Sequence, residues 1–142
     1  MGIIRAVCVS CKKGTAKKNV GEAELIIHHG LKGDAHSGNG HRQVSLLSHE
    51  EIETFCAKGV NVEYGDFGEN LVVEGIDFAS LPVGTKFRCG DVLLEMTQIG
   101  KECRDRCAIY HRMGDCIMPR EGVFAIVLQG GIIKTGDEIY AE

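Results

Sequence analysis

Short runs in which apolar and polar positions alternate dominate the chain, and turn residues separate them. Alternation with period two marks a strand with one face buried. Ile3 to Ser10 reads as a first strand, followed by the basic turn Cys11-Lys12-Lys13-Gly14-Thr15. Glu22 to His28 reads as a second strand, Gly30 to His41 as a Gly- and His-rich loop, and Gln43 to Leu47 as a short strand. The pattern changes at Ser48. Ser48 and Glu51 have capping-box spacing, and Leu47 and Ile52 have the spacing of a hydrophobic staple. Ile52, Phe55 and Cys56 then form one apolar helical face, and Gly59 is placed to stop the helix. This helix is expected to pack on a sheet, with Cys56 as a core thiol. Beyond it, β patterns return: Leu71 to Glu74, then a hairpin from Thr85–Cys89 and Val92–Gln98 around Gly90-Asp91. A second hairpin is expected from Gly122–Gln129 and Ile132–Lys134 around Gly130-Gly131, with a last short strand at Glu138–Tyr140. Gly100 to Pro119 is polar, cysteine-rich and aperiodic, with a helical turn expected near Cys107.

Composition sharpens this to a closed β architecture. The 142 residues fit one domain spanning 1–142, long enough to bury roughly two-thirds of the unfolded surface. With no Trp, the core falls to Val, Ile and Leu. The 19 glycines against 2 prolines, with Gly-Asp pairs at Gly33, Gly65, Gly90, Gly114 and Gly136, fit strands that turn often, as in closed barrels. The expected fold is mostly β, a closed barrel with one clear helix. A net charge of −4 argues against a nucleic-acid binder. No stretch approaches a membrane span and no signal-type pattern opens the chain, so a cytoplasmic location is expected. Seven cysteines without an export signal argue against a disulfide framework.

Several clusters carry candidate chemistry. Cys8 and Cys11 form a C-x-x-C, but no second pair follows at zinc-ribbon spacing and no helix follows at redox-site spacing, so Cys8 reads as a strand thiol. Asp34, His36 and His41 have the chemistry of metal ligands, or with Arg42 of an anion site. Glu69 and Asn70 stand directly before a strand, where barrel mouths place ligand-binding groups. The densest signal is Gly100-Lys101-Glu102-Cys103-Arg104-Asp105-Arg106-Cys107. Lys101, Arg104, Arg106, Arg112 and Arg120 place five of the 16 basic residues within 20 positions of an acidic chain. Cations favour the thiolate at Cys103, the form that attacks and that binds soft metals, and they attract phosphate. Cys103, Cys107, His111 and Cys116 leave open a zinc or iron–sulfur site, although their spacing matches no specific pattern. Nucleotide-loop, nucleophile-elbow and zinc-protease motifs are absent from the sequence.

Six blocks in order resemble the MOSC domain, the module named for the C-terminal part of eukaryotic molybdenum-cofactor sulfurase, and the resemblance runs from about Ile3 to Glu138. They are Gly30-Leu31-Lys32-Gly33-Asp34-Ala35-His36, His41-Arg42-Gln43-Val44-Ser45-Leu46-Leu47, Gly65-Asp66-Phe67-Gly68-Glu69-Asn70-Leu71, Leu81-Pro82-Val83-Gly84-Thr85, Gly100-Lys101-Glu102-Cys103 and Met118-Pro119-Arg120-Glu121-Gly122-Val123-Phe124. The resemblance is to the short stand-alone bacterial type. It implies a barrel akin to the pyruvate-kinase barrel domain. It also implies molybdenum cofactor (molybdopterin) binding or sulfur carriage in metal–sulfur centre maturation, with the family's thiol at Cys103 holding a persulfide or ligating molybdenum. Asp34, His36 and Arg42 would line the pocket, Glu69 and Asn70 would shape its mouth, and Lys101 and Arg104 would neutralise the cofactor's phosphate. Partners would be cofactor-biosynthesis or acceptor enzymes and a cysteine desulfurase as sulfur donor. Pyridoxal phosphate belongs to the separate desulfurase domain of larger proteins and is not expected in this chain. A molybdenum-dependent reductase of N-hydroxylated compounds is the main alternative, and a zinc or iron–sulfur binding module the second.

Overall fold

A computed structural model describes residues 2–10, 17–34, 40, 43–57, 59, 62–100 and 122–142. The strands are β1 (Gly2–Val9), β2 (Lys18–Asn19), β3 (Glu22–Ile26), β4 (Gly30–Leu31), β5 (Val44–Ser48), β6 (Leu71–Glu74), β7 (Lys86–Cys89), β8 (Val92–Ile99), β9 (Val123–Gln129), β10 (Gly131–Lys134) and β11 (Glu138–Ala141). One helix, α1 (His49–Cys56), and a single 3₁₀ turn at Phe78–Ser80 accompany them.

Seven strands close a ring in the order β1-β11-β7-β8-β9-β5-β6 and back to β1. Closure removes the free edges that would otherwise template aggregation. All pairs in the ring are antiparallel except β5–β6, whose parallel pairing needs a crossover. Helix α1 and the following loop supply it. Strand β2 pairs with the end of β1, and β10-β3-β4 form a separate small sheet.

Alternate residues from all seven ring strands form the main core, among them Ile4, Leu46, Val73, Phe87, Leu94, Ala125 and Ile139. Phe78 meets Phe87 edge-on at 5.2 Å within it. A smaller second core lies where α1 covers the sheet: Ala6, Cys8, Leu47, Ile52, Phe55, Phe67, Val72 and Phe124. A break of register between Ile4 and Ala6 sorts β1 between the two. Strict alternation would put Ile4, Ala6 and Cys8 on one face. The irregularity returns Val7 to the main core with Ile4 and leaves Ala6 and Cys8 under the helix. Cys8 is therefore a buried strand thiol. Cys89 is likewise a main-core thiol, pushed up to about 11 by burial and by Asp137. Cys56 is only half-buried and packs at the margin of the second core.

Most of the expected elements are present with small shifts at their ends. The Gly-Asp pairs at Gly33, Gly65, Gly90 and Gly136 all have positive φ at glycine, as tight turns require, and Gly90-Asp91 closes the β7–β8 hairpin. Two expectations need correction. Ser48 occupies the N-cap position but makes no side-chain capping bond; its hydroxyl donates to the Ile76 carbonyl and ties α1 to the end of β6. The expected β9–β10 hairpin does not form. β9 stays between β8 and β5, while β10 crosses to pair with β3 over four positions. Gly130 permits the crossing, because a Cβ there would stand 2.6 Å from the Leu25 carbonyl oxygen. The basic turn at Cys11 and the stretch containing Cys107 lie outside the described residues.

Candidate functional site

The C-terminal end of β1 meets the loop before β6 in a buried polar cluster. Fully buried Asn70 joins three strands' worth of backbone. Its amide nitrogen donates to the Cys8 carbonyl at 3.0 Å, and its side-chain oxygen accepts from the Ser45 N–H at 2.9 Å and the Ser45 hydroxyl at 3.1 Å. Asn70 thus satisfies backbone groups where the parallel β5–β6 ladder begins. Next to it, the Glu69 carboxylate folds back on its own loop, accepting from Gly65 N–H at 2.9 Å and Phe67 N–H at 3.1 Å. Complete burial pushes the Glu69 carboxyl up to about 7, with the Asp66 charge adding to the effect and the backbone donors opposing it. Gly65 has φ +93°, and a Cβ there would stand 2.0 Å from the Lys17 carbonyl oxygen, so this loop needs glycine to approach the residue that leads into β2.

Asp34 lies at the same end. Its Oδ1 takes the Lys17 ammonium at 2.7 Å and the Ser10 N–H at 3.1 Å, and both charged side chains are fully buried. Burial alone would raise the Asp34 carboxyl. The hydrogen bond and charge of Lys17, with the Ser10 N–H, outweigh it and hold Asp34 below the ordinary carboxylate range. Burial and the Glu69 carboxylate push the nearby Cys8 thiol strongly up, which makes it a poor nucleophile and argues against a redox role for the C-x-x-C.

Three of the expected site residues, Asp34, Glu69 and Asn70, therefore converge on one end of the barrel. Each spends its polar atoms on protein partners. His36, Arg42, Lys101, Cys103 and Arg104 lie outside the described residues, as do His41, Cys107, His111 and Cys116. The segment 101–121 attaches where Gly100 N–H donates to the Gly122 carbonyl at 2.6 Å. Leu46 pairs with Leu71 on one side and Val123 on the other. Because β6 is parallel to β5 and β9 antiparallel, Asn70 lies toward the start of β5 and Gly122 toward α1. The attachment point and the buried polar cluster are thus on opposite sides of Leu46.

Lys17 escaped sequence reasoning. It sits in a lysine-rich turn whose other members are ordinary surface residues in pattern, so nothing marked it as buried. Ser45 lay inside a recognised block but showed no chemical signature. An open recess of about 480 Å³ beside this cluster is lined by Lys17, Lys18, Asn19, Glu63, Tyr64 and Asp66. Among the described residues no three metal-ligating side chains gather into a metal site.

The MOSC domain model matches residues 33–140. The chain belongs to the MOSC domain family. That family is associated with molybdenum-cofactor-related function. The match spans Asp34, Glu69 and Asn70 and runs through Cys103. Comparison with curated proteins finds no match. Among solved structures, the YuaD protein from Bacillus subtilis superimposes with a TM-score of 0.81 at 21% identity, covering 98% of this MOSC chain and 94% of that one. YiiM from Geobacillus stearothermophilus gives 0.76 at 18% identity, covering 100% and 75%. YiiM from Escherichia coli gives 0.70 at 18% identity, covering 99% and 69%. At these identities the likeness is one of fold. Among the described residues no helix is long and apolar enough to cross a membrane.

Proposed function

We propose that this MOSC chain is an accessory protein of molybdenum or metal–sulfur centre maturation that binds molybdenum cofactor or carries sulfur on Cys103. The observation that carries the reading is the family match over 33–140, which includes the block Gly100-Lys101-Glu102-Cys103. The donor chemistry fits the group. A thiolate is a soft ligand suited to molybdenum and a nucleophile suited to sulfane sulfur. Lys101 and Arg104 flank it with charges suited to a phosphate. Bound molybdenum cofactor would supply the metal and the pterin dithiolene. His36, Arg42, Lys101 and Arg104 are the residues we assign to holding it. Asp34, Glu69 and Asn70 act on this reading by position, because their oxygen and nitrogen atoms already serve Lys17, the 65–70 loop and Ser45. Asp34 ties the residue before the segment 35–39 to Ser10 and Lys17, and Glu69 and Asn70 fix the loop before β6.

Sulfur carriage balances with a cysteine desulfurase as donor. The Cys103 thiolate attacks the terminal sulfur of the donor's persulfide. A new S–S bond forms on Cys103, the donor's S–S bond breaks, and the donor thiolate leaves. The test is peptide mass spectrometry after incubation with a cysteine desulfurase and L-cysteine. A gain of about 32 Da, one sulfur, is expected on the Cys103 peptide and is removed by a reducing thiol. An unmodified Cys103, or equal sulfur uptake by Cys103→Ser on other thiols, overturns sulfur carriage.

A further inference from the structure

A groove of about 520 Å³ lies between α1 and the loop after it, and shares Glu63 and Tyr64 with the recess beside Lys17. Its apolar wall is Ile52, Cys56 and Val62, and its polar end is Glu53, His49 and Tyr64. These three side chains form one hydrogen-bonded chain. The Glu53 carboxylate pairs with His49 Nε2, one helical turn away. The Tyr64 hydroxyl lies 2.9 Å from His49 Nδ1. A carboxylate only accepts, so Nε2 carries the imidazole proton. In the neutral tautomer with that proton, Nδ1 is bare and the phenol donates to it. Arg5 of β1 faces the same phenol; its guanidinium is raised above its ordinary pKa by hydrogen bonding and charge at Tyr64, and it pairs with Glu74 at 2.9 Å.

The order carboxylate, imidazole, hydroxyl is that of an activated nucleophile: hydroxyl and base within hydrogen-bond reach, and the base oriented by a third group. A tie whose only role is to fasten the loop to the helix needs the Tyr64–His49 bond alone. It does not need Glu53 on the far nitrogen. The groove volume is also in the range of small-molecule sites, with an apolar lining and few convergent polar groups.

We propose that this groove is a second chemical site, in which Tyr64, with His49 as base and Glu53 as orienting carboxylate, attacks small apolar electrophiles of the acyl or sulfonyl class. The Tyr64 oxygen forms a bond to the electrophilic carbon or sulfur. The bond to the leaving group breaks, and the phenol proton passes to His49 Nδ1 and on to the leaving group. Glu53 stabilises the imidazolium, and Arg5 stabilises charge on the phenol oxygen. The site uses none of the residues assigned to cofactor or sulfur handling, so it stands or falls separately from them.

The probe is an aryl sulfonyl fluoride, from which the phenol displaces fluoride to leave a sulfonate ester. Peptide mass spectrometry follows its addition to Tyr64 and to Tyr140, an exposed phenol that serves as the internal reference. Tyr64 is expected to react about 10²-fold faster than Tyr140. His49→Gln and Glu53→Gln are expected to lower the Tyr64 rate at least about tenfold, with Tyr140 unchanged and the melting temperature showing a folded protein. A Tyr64 that reacts no faster than Tyr140 overturns the proposal. So does a Tyr64 rate that folded Glu53→Gln leaves unchanged, since that is the behaviour of a structural tie.

Discussion

Asp34→Asn keeps the shape of a fully buried side chain and removes its charge. In the wild type, Asp34 Oδ1 holds the Lys17 ammonium at 2.7 Å with both side chains out of water. Breaking a buried ion pair from one side costs about 3–5 kcal/mol, because the remaining charge stays in a poorly polarisable site. The asparagine oxygen can still accept the Ser10 N–H, so that bond survives and the low end applies, about 3 kcal/mol. Lys17→Met removes the ammonium and keeps most of the apolar stem, and is expected to cost about as much for the reciprocal reason. The double variant removes both charges of the pair. It should lose less than the sum of the singles, with a coupling of about 2–3 kcal/mol, at the upper end for contacting residues. Urea unfolding at pH 7 measures all three variants. With m near 2 kcal/mol/M, a 3 kcal/mol loss lowers the midpoint by about 1.5 M. A loss below about 1 kcal/mol for Asp34→Asn, or strict additivity in the double variant, refutes the assignment of Asp34 to holding the fold at this end. The sign with pH follows from the depressed Asp34 carboxyl: its stabilisation is present above the unfolded carboxylate pKa and is lost as pH falls through the folded value.

Other consequences are equally direct. Glu69 is raised from 4.5 to about 7, so the folded state holds a proton that the unfolded state has lost between those values. Its contribution is fully present below pH 4.5 and declines as pH rises toward 7, by about 3 kcal/mol in all, so the urea midpoint should fall across that window in wild type and not in Glu69→Gln. Asn70→Ala strands the Cys8 carbonyl and the Ser45 N–H in the interior and should cost about 2–4 kcal/mol by the same assay; a loss under 1 kcal/mol contradicts the network. Among the described thiols, Cys56 should react with an aromatic disulfide reagent in the folded protein, while buried Cys8 and Cys89 should react only on unfolding, as peptide mapping after a short pulse can show.

The barrel was legible in sequence because its signals are local. Period-two alternation marks β7 and β8, and glycine before aspartate marks turns that need positive φ. The helix was legible from Ile52 and Phe55 at helical spacing. What misled were signals that compete with tertiary contacts. Ser48 has capping chemistry, yet the Ile76 carbonyl lies within its reach and takes the hydroxyl. Gly130-Gly131 looks like a hairpin turn, yet Leu25 and its neighbours on β3 offer β10 a pairing across the molecule. At the candidate site, Asp34, Glu69 and Asn70 stood out as polar residues in a motif. Their partners Lys17 and Ser45 are 17 and 25 positions away in sequence, and no periodicity links them. The Tyr64–His49–Glu53 chain was invisible for the same reason, since it joins a helix to a loop.

The reading of Cys103 as the working thiol is tested most directly by native mass spectrometry of the protein purified from a molybdenum-replete host, beside Cys103→Ala. One spectrum registers either predicted adduct, a molybdenum-bearing pterin or a single added sulfur. The account predicts one of these on the wild type and the bare polypeptide mass for Cys103→Ala. A bare wild-type mass, or the same adduct on Cys103→Ala, would contradict it.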